Sequence, residues 1–343
     1  MTDAAMNLPA LQDYLAEQGV ALQGELTAEL IAGGKSNLTY AISDGANKWV
    51  LRRPPVSGLT PSAHDMAREF RVVSGLRGSG VPVADAIVLC EDNSVLGAPF
   101  AMVEFVEGQV IRNESELARY SDADLTRCTD ELVRVLAALH NVDYQAAGLG
   151  EFGRPDGYLT RQVGLWAKQW GRVKDGELAA NDSDVERLHR ALETMIPTQA
   201  AATIVHGDYR IDNTILDADD VGQVRAVVDW ELSTLGDPLT DVAMMCVYRD
   251  PALELVLGEP AAWTSSRLAS ADELAQQYST ASGRELANWG FYLGLANFKL
   301  AVIAAGIDHR YRSGATVGDG FDKAIDAVPI FLAAGLRAVK EQS

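Results

Sequence analysis

Residues 206–231 read HGDYRIDNTILDADDVGQVRAVVDWE. Within this stretch Thr214–Leu216 and Val224–Val228 are short apolar, β-branched runs. The polar turn residues Asp217–Gly222 separate them. That pattern predicts a two-stranded antiparallel hairpin. Asn213 stands just before the first run and Asp229 just after the second. The open ends of such a hairpin bring an amide oxygen and a carboxylate to within about 5 Å. Asp208 lies on the loop immediately upstream. A small cluster of oxygen ligands suits Mg²⁺, which keeps several waters and takes further ligands from nucleotide phosphates. A carboxylate beside it can accept a proton from an attacking hydroxyl. Together these groups are the equipment for phosphoryl transfer. Any one of Asp208, Asp212 or Asn213 alone reads as an ordinary turn residue. The ordered set HGDxxxxN, hairpin, Asp is what carries the chemistry.

Working outward, the chain changes character near Gly108. Before it, strand-like runs occupy Leu30–Ala32, Leu38–Ser43, Trp49–Arg52, Ala86–Cys90 and Phe100–Phe105. A helical stretch from about Ser62 to Leu76 places Met66, Phe70, Val73 and Leu76 on one face. Gly33-Gly34-Lys35-Ser36-Asn37 joins the first two strands, and glycines allow backbone N–H groups to approach an anion closely. After Gly108 the periodicity is helical over Leu125–His140, Gly157–Val173, Asp184–Met195, Ala271–Ser279, Glu285–Ala305 and Phe321–Val339. The expected fold class is α+β, with a small antiparallel β lobe over residues 1–107 and a larger α-rich lobe over residues 108–343.

The composition agrees with a globular two-lobed protein. The chain has 343 residues, 48% of them hydrophobic and 22% charged. Its 29 Lys+Arg against 48 Asp+Glu give a net charge of −19. That acidity argues against nucleic-acid and anionic-membrane partners. It would steer a cationic substrate without selecting one. Cys90, Cys128 and Cys246 lie far apart, which suggests neither a disulfide framework nor a metal site, and a reducing cytoplasm is the expected compartment. The N-terminal residues lack a basic region followed by a long apolar run, so no signal peptide is expected. The run LAVIAAG is too short to span a bilayer. Oligomeric state is not specified at this level.

HGDYRIDN followed by VVDWE resembles the aminoglycoside phosphotransferase and choline kinase superfamily, which shares the protein-kinase-like fold. The stretch DWELSTLGDPLTD (Asp229–Asp241) resembles a branch whose kinase-like domains are also found fused to acyl-CoA dehydrogenases. The resemblance implies an ATP-dependent kinase using Mg²⁺ and acting on the hydroxyl of a small molecule. By it, Asp208 is the catalytic base, and Asn213 and Asp229 hold the metal. Glu231 is placed to touch metal or substrate. Asp241 braces the catalytic loop, and His206 packs beneath it. Gly33, Gly34, Ser36 and Asn37 would cover the phosphates. Arg52, standing where the wider fold has lysine, would hold them, with Glu69 as its ion-pair partner. Glu104 and Val106, in the hinge at about residues 104–108, would meet the adenine through their backbone.

For the acceptor, the candidate lining residues are Trp166, Trp170, Tyr292, Asn297, Lys299, His309 and Arg310. The last basic group favours an anionic acceptor such as an acyl-CoA or hydroxy acid, whereas the acidic residues would favour an amine. Alternatives are therefore a hydroxyacyl-CoA or amino-alcohol kinase rather than an antibiotic kinase, and a catalytically silent nucleotide-binding protein. Arg52 is the only support for the silent reading. A protein kinase is disfavoured, because the dozen residues from Asp229 to Asp241 leave no room for an activation segment.

Overall fold

The computed structural model describes residues 6–33, 37–54, 65–199, 201–314 and 320–341. Helix α1 (Leu8–Glu17) comes first, an element not anticipated from the sequence. Asn7 caps it by accepting from the Ala10 N–H at 3.2 Å. Leu11 and Leu15, one turn apart, are fully buried against the sheet that follows.

That sheet is antiparallel and five-stranded. It comprises β1 (Thr27–Gly33), β2 (Leu38–Ser43), β3 (Lys48–Arg53), β4 (Ala86–Cys90) and β5 (Phe100–Glu104), in the spatial order β1-β2-β3-β5-β4. The β2–β3 turn is set by Asp44, whose Oδ1 accepts from the N–H groups of Ala46 and Asn47 at 2.9 and 2.6 Å. Alternation along β3 buries Trp49, Leu51 and Arg53 on the face covered by α1. Val50 and Arg52 take the other face. Arg53 donates to the Leu96 carbonyl at 3.2 Å. Helix α2 (Met66–Leu76) is capped by Asp65. The start expected near Ser62 lies outside the described residues.

The second lobe is built from α3 (Asp122–His140), α4 (Tyr158–Val173), α5 (Asp182–Met195), α6 (Pro238–Val247), α7 (Ala271–Ser282), α8 (Trp289–Arg312) and α9 (Ala324–Glu341). Two small sheets interrupt it. Strand β6 (Thr203–Val205) pairs with β9 (Thr234–Gly236), and β7 (Thr214–Leu216) pairs with β8 (Val224–Val227). Its core takes in Val72, Val73 and Leu76 of α2, so that helix packs on the larger lobe as well as its own sheet.

Helix α8 begins later and ends later than expected. It is 24 residues long, and by length and composition it could cross a bilayer, unlike the short run read from the sequence. In this fold 72% of its apolar window is buried. All three cysteines are buried and unpaired.

Candidate active site

The loop that carries Asp208 is held from below by one buried carboxylate. Asp241, in the first turn of α6, accepts from the backbone N–H groups of His206 and Gly207 at 2.6 and 2.8 Å. His140 Nε2 lies 3.3 Å from the same carboxylate, and its Nδ1 lies 2.7 Å from the Tyr278 hydroxyl. Burial opposes ionisation of Asp241, but the His140 hydrogen bond and its charge outweigh burial and hold the carboxyl below the usual range. His206 Nδ1 accepts from the Asp208 N–H at 3.2 Å, so its proton sits on Nε2, 2.9 Å from the Val228 carbonyl. One imidazole thus ties the loop to the residue before Asp229. Gly207 has φ +87°, and a Cβ there would come within 2.9 Å of Leu232, so glycine is required.

The hairpin register is the one the sequence implies. Thr214 faces Val227, and the Val228 N–H donates to the Asn213 carbonyl at 3.0 Å. Asn213 Nδ2 donates to the Asp208 carbonyl at 2.8 Å and to its carboxylate at 3.0 Å. Asp229 adopts a left-handed backbone conformation, φ 64° and ψ 59°. That is uncommon for a residue other than glycine and typical of strained functional positions.

Arg210, not singled out from the sequence, sits between Asp208 (3.5 Å) and Asp212 (3.2 Å). Two acids flanking it in HGDYRIDN, Asp208 and Asp212, were the available signal. Burial works against the Asp208 carboxylate. Arg210, a hydrogen bond from Tyr248, and then Lys299 more than compensate, and its pKa falls below the ordinary value. Tyr248 was also missed.

From the other lobe, Arg52 reaches Glu69 at 2.7 Å and Asp229 at 3.4 Å, joining the sheet, α2 and the segment after the hairpin. Burial, and then the charges of Asp229 and Glu231, push Glu69 up to about 7 despite Arg52. Glu231 is raised as well, by burial and then by Asp229, and its buried Oε2 has no hydrogen-bond partner. This donor set fits a hard cation. Asn213 Nδ2 is spent on Asp208, which leaves its oxygen, and Asp229, Glu69 and Glu231 share the single cation Arg52. Among the described residues no group of three or more His, Cys, Asp and Glu forms a closed cage. Mg²⁺ held by one or two carboxylates and by phosphates needs none.

Between the lobes lies a cleft of about 520 Å³. Val50, Val73, Val103, Ile215 and Val227 give it aliphatic walls, and Arg52, Glu69 and Asp229 stand among its lining residues. In the hinge, the Glu104 N–H is already spent on the Asp85 carbonyl at 2.8 Å, so only its C=O remains for an adenine. The Val106 N–H makes no hydrogen bond among the described residues. Gly33 ends β1 opposite Leu38, and Asn37 is buried at the start of β2. Gly34, Lys35 and Ser36 lie outside the described residues.

On the other side of the Asp208 loop, a much smaller cleft of about 30 Å³ is lined by Tyr158, Gln162, Trp166, Gly207, Tyr292 and Lys299, among others. Tyr158 and Gln162 were not anticipated. Four expected lining residues are not there. Trp170 is buried and donates to Asp182 at 2.7 Å. Asn297 bonds back to the Leu293 carbonyl and faces Gly335 of α9. His309 pairs with Asp175 at 3.0 Å, and Arg310 is its exposed neighbour. These two stand about 15 Å along α8 from Lys299, because a helix rises about 1.5 Å per residue. Helical periodicity shows which residues share a face but not how far along the helix the site extends.

An antiparallel lobe over a helical lobe, with this hairpin at their junction, is the architecture of the kinase-like phosphotransferases. The chain belongs to the phosphotransferase enzyme family, whose profile matches residues 27–288. A solved chain from Ralstonia eutropha, provisionally named an aminoglycoside phosphotransferase, is 32% identical. It superposes with a TM-score of 0.84 over 98% of this chain and 99% of that one. The ternary complex of aminoglycoside phosphotransferase APH(4)-Ia with AMP-PNP and hygromycin B shares the fold at 16% identity, with a TM-score of 0.61 over 97% and 99%. Among curated proteins, acyl-CoA dehydrogenase family member 10 of Mus musculus is 36% identical over 82% of this chain and 26% of its own length. Family member 11 of Homo sapiens is 33% identical over 89% and 39%. The chain therefore spans only about a quarter to two fifths of those relatives.

Proposed function

We propose that the chain is an ATP-dependent small-molecule kinase that transfers the γ-phosphoryl group to a hydroxyl of its acceptor. The observation that carries this reading is the convergence of Asp208, Asn213 and Asp229. Asn213 is bonded to Asp208, and Asp229 is linked through Arg52 to Glu69. The AMP-PNP bound to APH(4)-Ia supports a nucleotide in the interlobe cleft.

Adenine would stack between the aliphatic walls and bond to the Glu104 carbonyl and the Val106 N–H. Arg52 would hold phosphate oxygens. Asn213 and Asp229 would hold Mg²⁺, with Glu231 adjacent. When bound, Mg²⁺ supplies neutralising charge to the phosphates. Asp208 orients the acceptor hydroxyl. A bond forms between that oxygen and the γ-phosphorus, the bond to the bridging β–γ oxygen breaks, and ADP leaves. The hydroxyl proton passes to Asp208. A strong base is not needed, because the transition state is loose and catalysis rests on positioning and charge. A carboxylate held ionised is adequate.

The test is calorimetric MgATP binding together with ATP consumption over a panel of hydroxyl compounds. Asp208→Ala should spare MgATP binding and lower turnover by about 10²–10⁴-fold. Asp229→Ala should weaken binding only when Mg²⁺ is present. Full turnover by Asp208→Ala, or no MgATP binding by the wild type, overturns the reading.

A further inference from the structure

The acceptor-side cleft contains hydrogen-bond donors that the fold leaves unused. Trp166 lines it, and the indole Nε1 is buried with no hydrogen-bond partner. Lys299 lines it from α8. It donates to the Gly207 carbonyl at 3.0 Å, and its ammonium lies 5.7 Å from the centre of the Trp166 ring. An ammonium carries further N–H donors beyond that one bond. The acceptors nearby are already committed. Asp241 is taken up by His206, Gly207 and His140, and Tyr292 donates to Asp237 at 3.0 Å. A buried donor without an acceptor is costly, and the Trp166 N–H is one; with the spare N–H groups of the Lys299 ammonium beside it, the cleft is suited to a ligand oxygen.

We infer that Lys299 and Trp166 form an oxyanion subsite, which binds a carboxylate on the molecule whose hydroxyl is presented to Asp208. The inference rests on the kinase reading above. A carboxylate would take up the spare N–H groups of the enclosed ammonium through charge-assisted hydrogen bonds. An amine-bearing acceptor would meet a like charge there. Gly207, bonded to Lys299, directly precedes Asp208 in the chain, so the carboxylate and the reacting hydroxyl belong a few bonds apart on a short hydroxy acid. Lys299 and Trp166 select and position the acceptor without taking part in proton transfer.

The experiment measures ADP release from MgATP with lactate, glycerate and 3-hydroxybutyrate, with their methyl esters, and with ethanolamine and choline. The enzymes are wild type, Lys299→Met, Lys299→Arg and Trp166→Phe, with MgATP binding measured in parallel. The expected result is turnover of at least one free hydroxy acid by the wild type. Its KM should rise about tenfold or more, a change of about 1.4 kcal/mol, on esterification or in Lys299→Met. Lys299→Arg should recover part of that loss. Trp166→Phe keeps the ring and loses the N–H, and should raise KM severalfold with MgATP affinity unchanged. Should Lys299→Met fail to fold, Trp166→Phe and Lys299→Arg decide the matter. The inference is overturned if wild type binds MgATP yet phosphorylates no hydroxy acid, or if KM for a hydroxy acid is unchanged in the variants. Absence of MgATP binding is a different outcome, which removes the kinase reading and the subsite with it.

Discussion

The clefts on the two sides of the catalytic loop are built on different plans. The interlobe cleft is wide and walled mainly by aliphatic side chains from both lobes, with its charged groups provided by Arg52, Glu69 and Asp229. Its arginine is already paired to carboxylates from two elements. The acceptor cleft is about 30 Å³, narrow and lined by polar side-chain tips, and among the described residues its lysine is hydrogen-bonded only to a backbone carbonyl. The first plan suits a flat ring with a charged tail. The second discriminates by donors and acceptors, where a site built to hydrogen-bond a group strongly rejects analogues lacking it.

Asp241 holds the loop between the two clefts through His206 and Gly207, so removing it should have the largest effect and should not distinguish them. Asp241→Ala strips the acceptor from the His206 and Gly207 N–H groups and leaves buried His140 with Tyr278 alone. The expected loss is about 3–5 kcal/mol in urea unfolding, with MgATP binding and acceptor turnover impaired together. A variant that lost one function and kept the other would show that the loop is not their common support.

Glu69 provides a pH test confined to the nucleotide side. Its folded pKa is pushed up to about 7 from 4.5, mainly by burial. The folded state therefore holds this proton more tightly than the unfolded one. The resulting stability is fully present below about pH 4.5 and is lost as pH rises through about 7. Stability measured from pH 5 to pH 8 should fall by up to about 3 kcal/mol on this account. In Glu69→Gln that part of the slope should vanish. An unchanged slope would mean Arg52 keeps Glu69 ionised throughout.

Arg52→Met should raise the Kd for ATP by about 10–150-fold, the equivalent of about 1.5–3 kcal/mol for hydrogen bonds to a charged group. The acceptor KM should not change, since Arg52 lines only the interlobe cleft. A parallel rise in acceptor KM would join the clefts that the geometry separates.

The same division explains what could be read from the sequence. The hairpin, its flanking Asn213 and Asp229, and the alternation that separates Arg52 from Arg53 are local patterns. They follow from period-two geometry within short stretches. The acceptor cleft is assembled from Tyr158, Gln162, Trp166, Tyr292 and Lys299, which come from two helices separated by more than a hundred residues of chain. Neither helix signals how deep along its length the site lies. Trp170 therefore looked as suitable as Trp166, and His309 as suitable as Lys299. Helix α1 was missed for another reason. It is short, and it derives its stability from Leu11 and Leu15 packing on the sheet, a tertiary effect.

Two tyrosines of the acceptor cleft give the finest test of its polar plan. The Tyr292 hydroxyl donates to buried Asp237 at 3.0 Å, and that carboxylate also caps α6 through the Leu239 N–H. Tyr292→Phe should cost about 1–3 kcal/mol, because it leaves a buried acceptor short of a donor. The Tyr158 hydroxyl is 3.5 Å from Thr240 Oγ1, at the limit of a hydrogen bond. Tyr158→Phe should cost no more than about 0.5 kcal/mol, near the floor for a net hydrogen bond. Its effect should appear instead as a change in acceptor KM, since the ring lines the cleft and the hydroxyl is nearly free to meet a ligand. If Tyr158→Phe destabilises the fold as much as Tyr292→Phe does, the hydroxyl is structural, and the polar tips of this cleft are fewer than its lining implies.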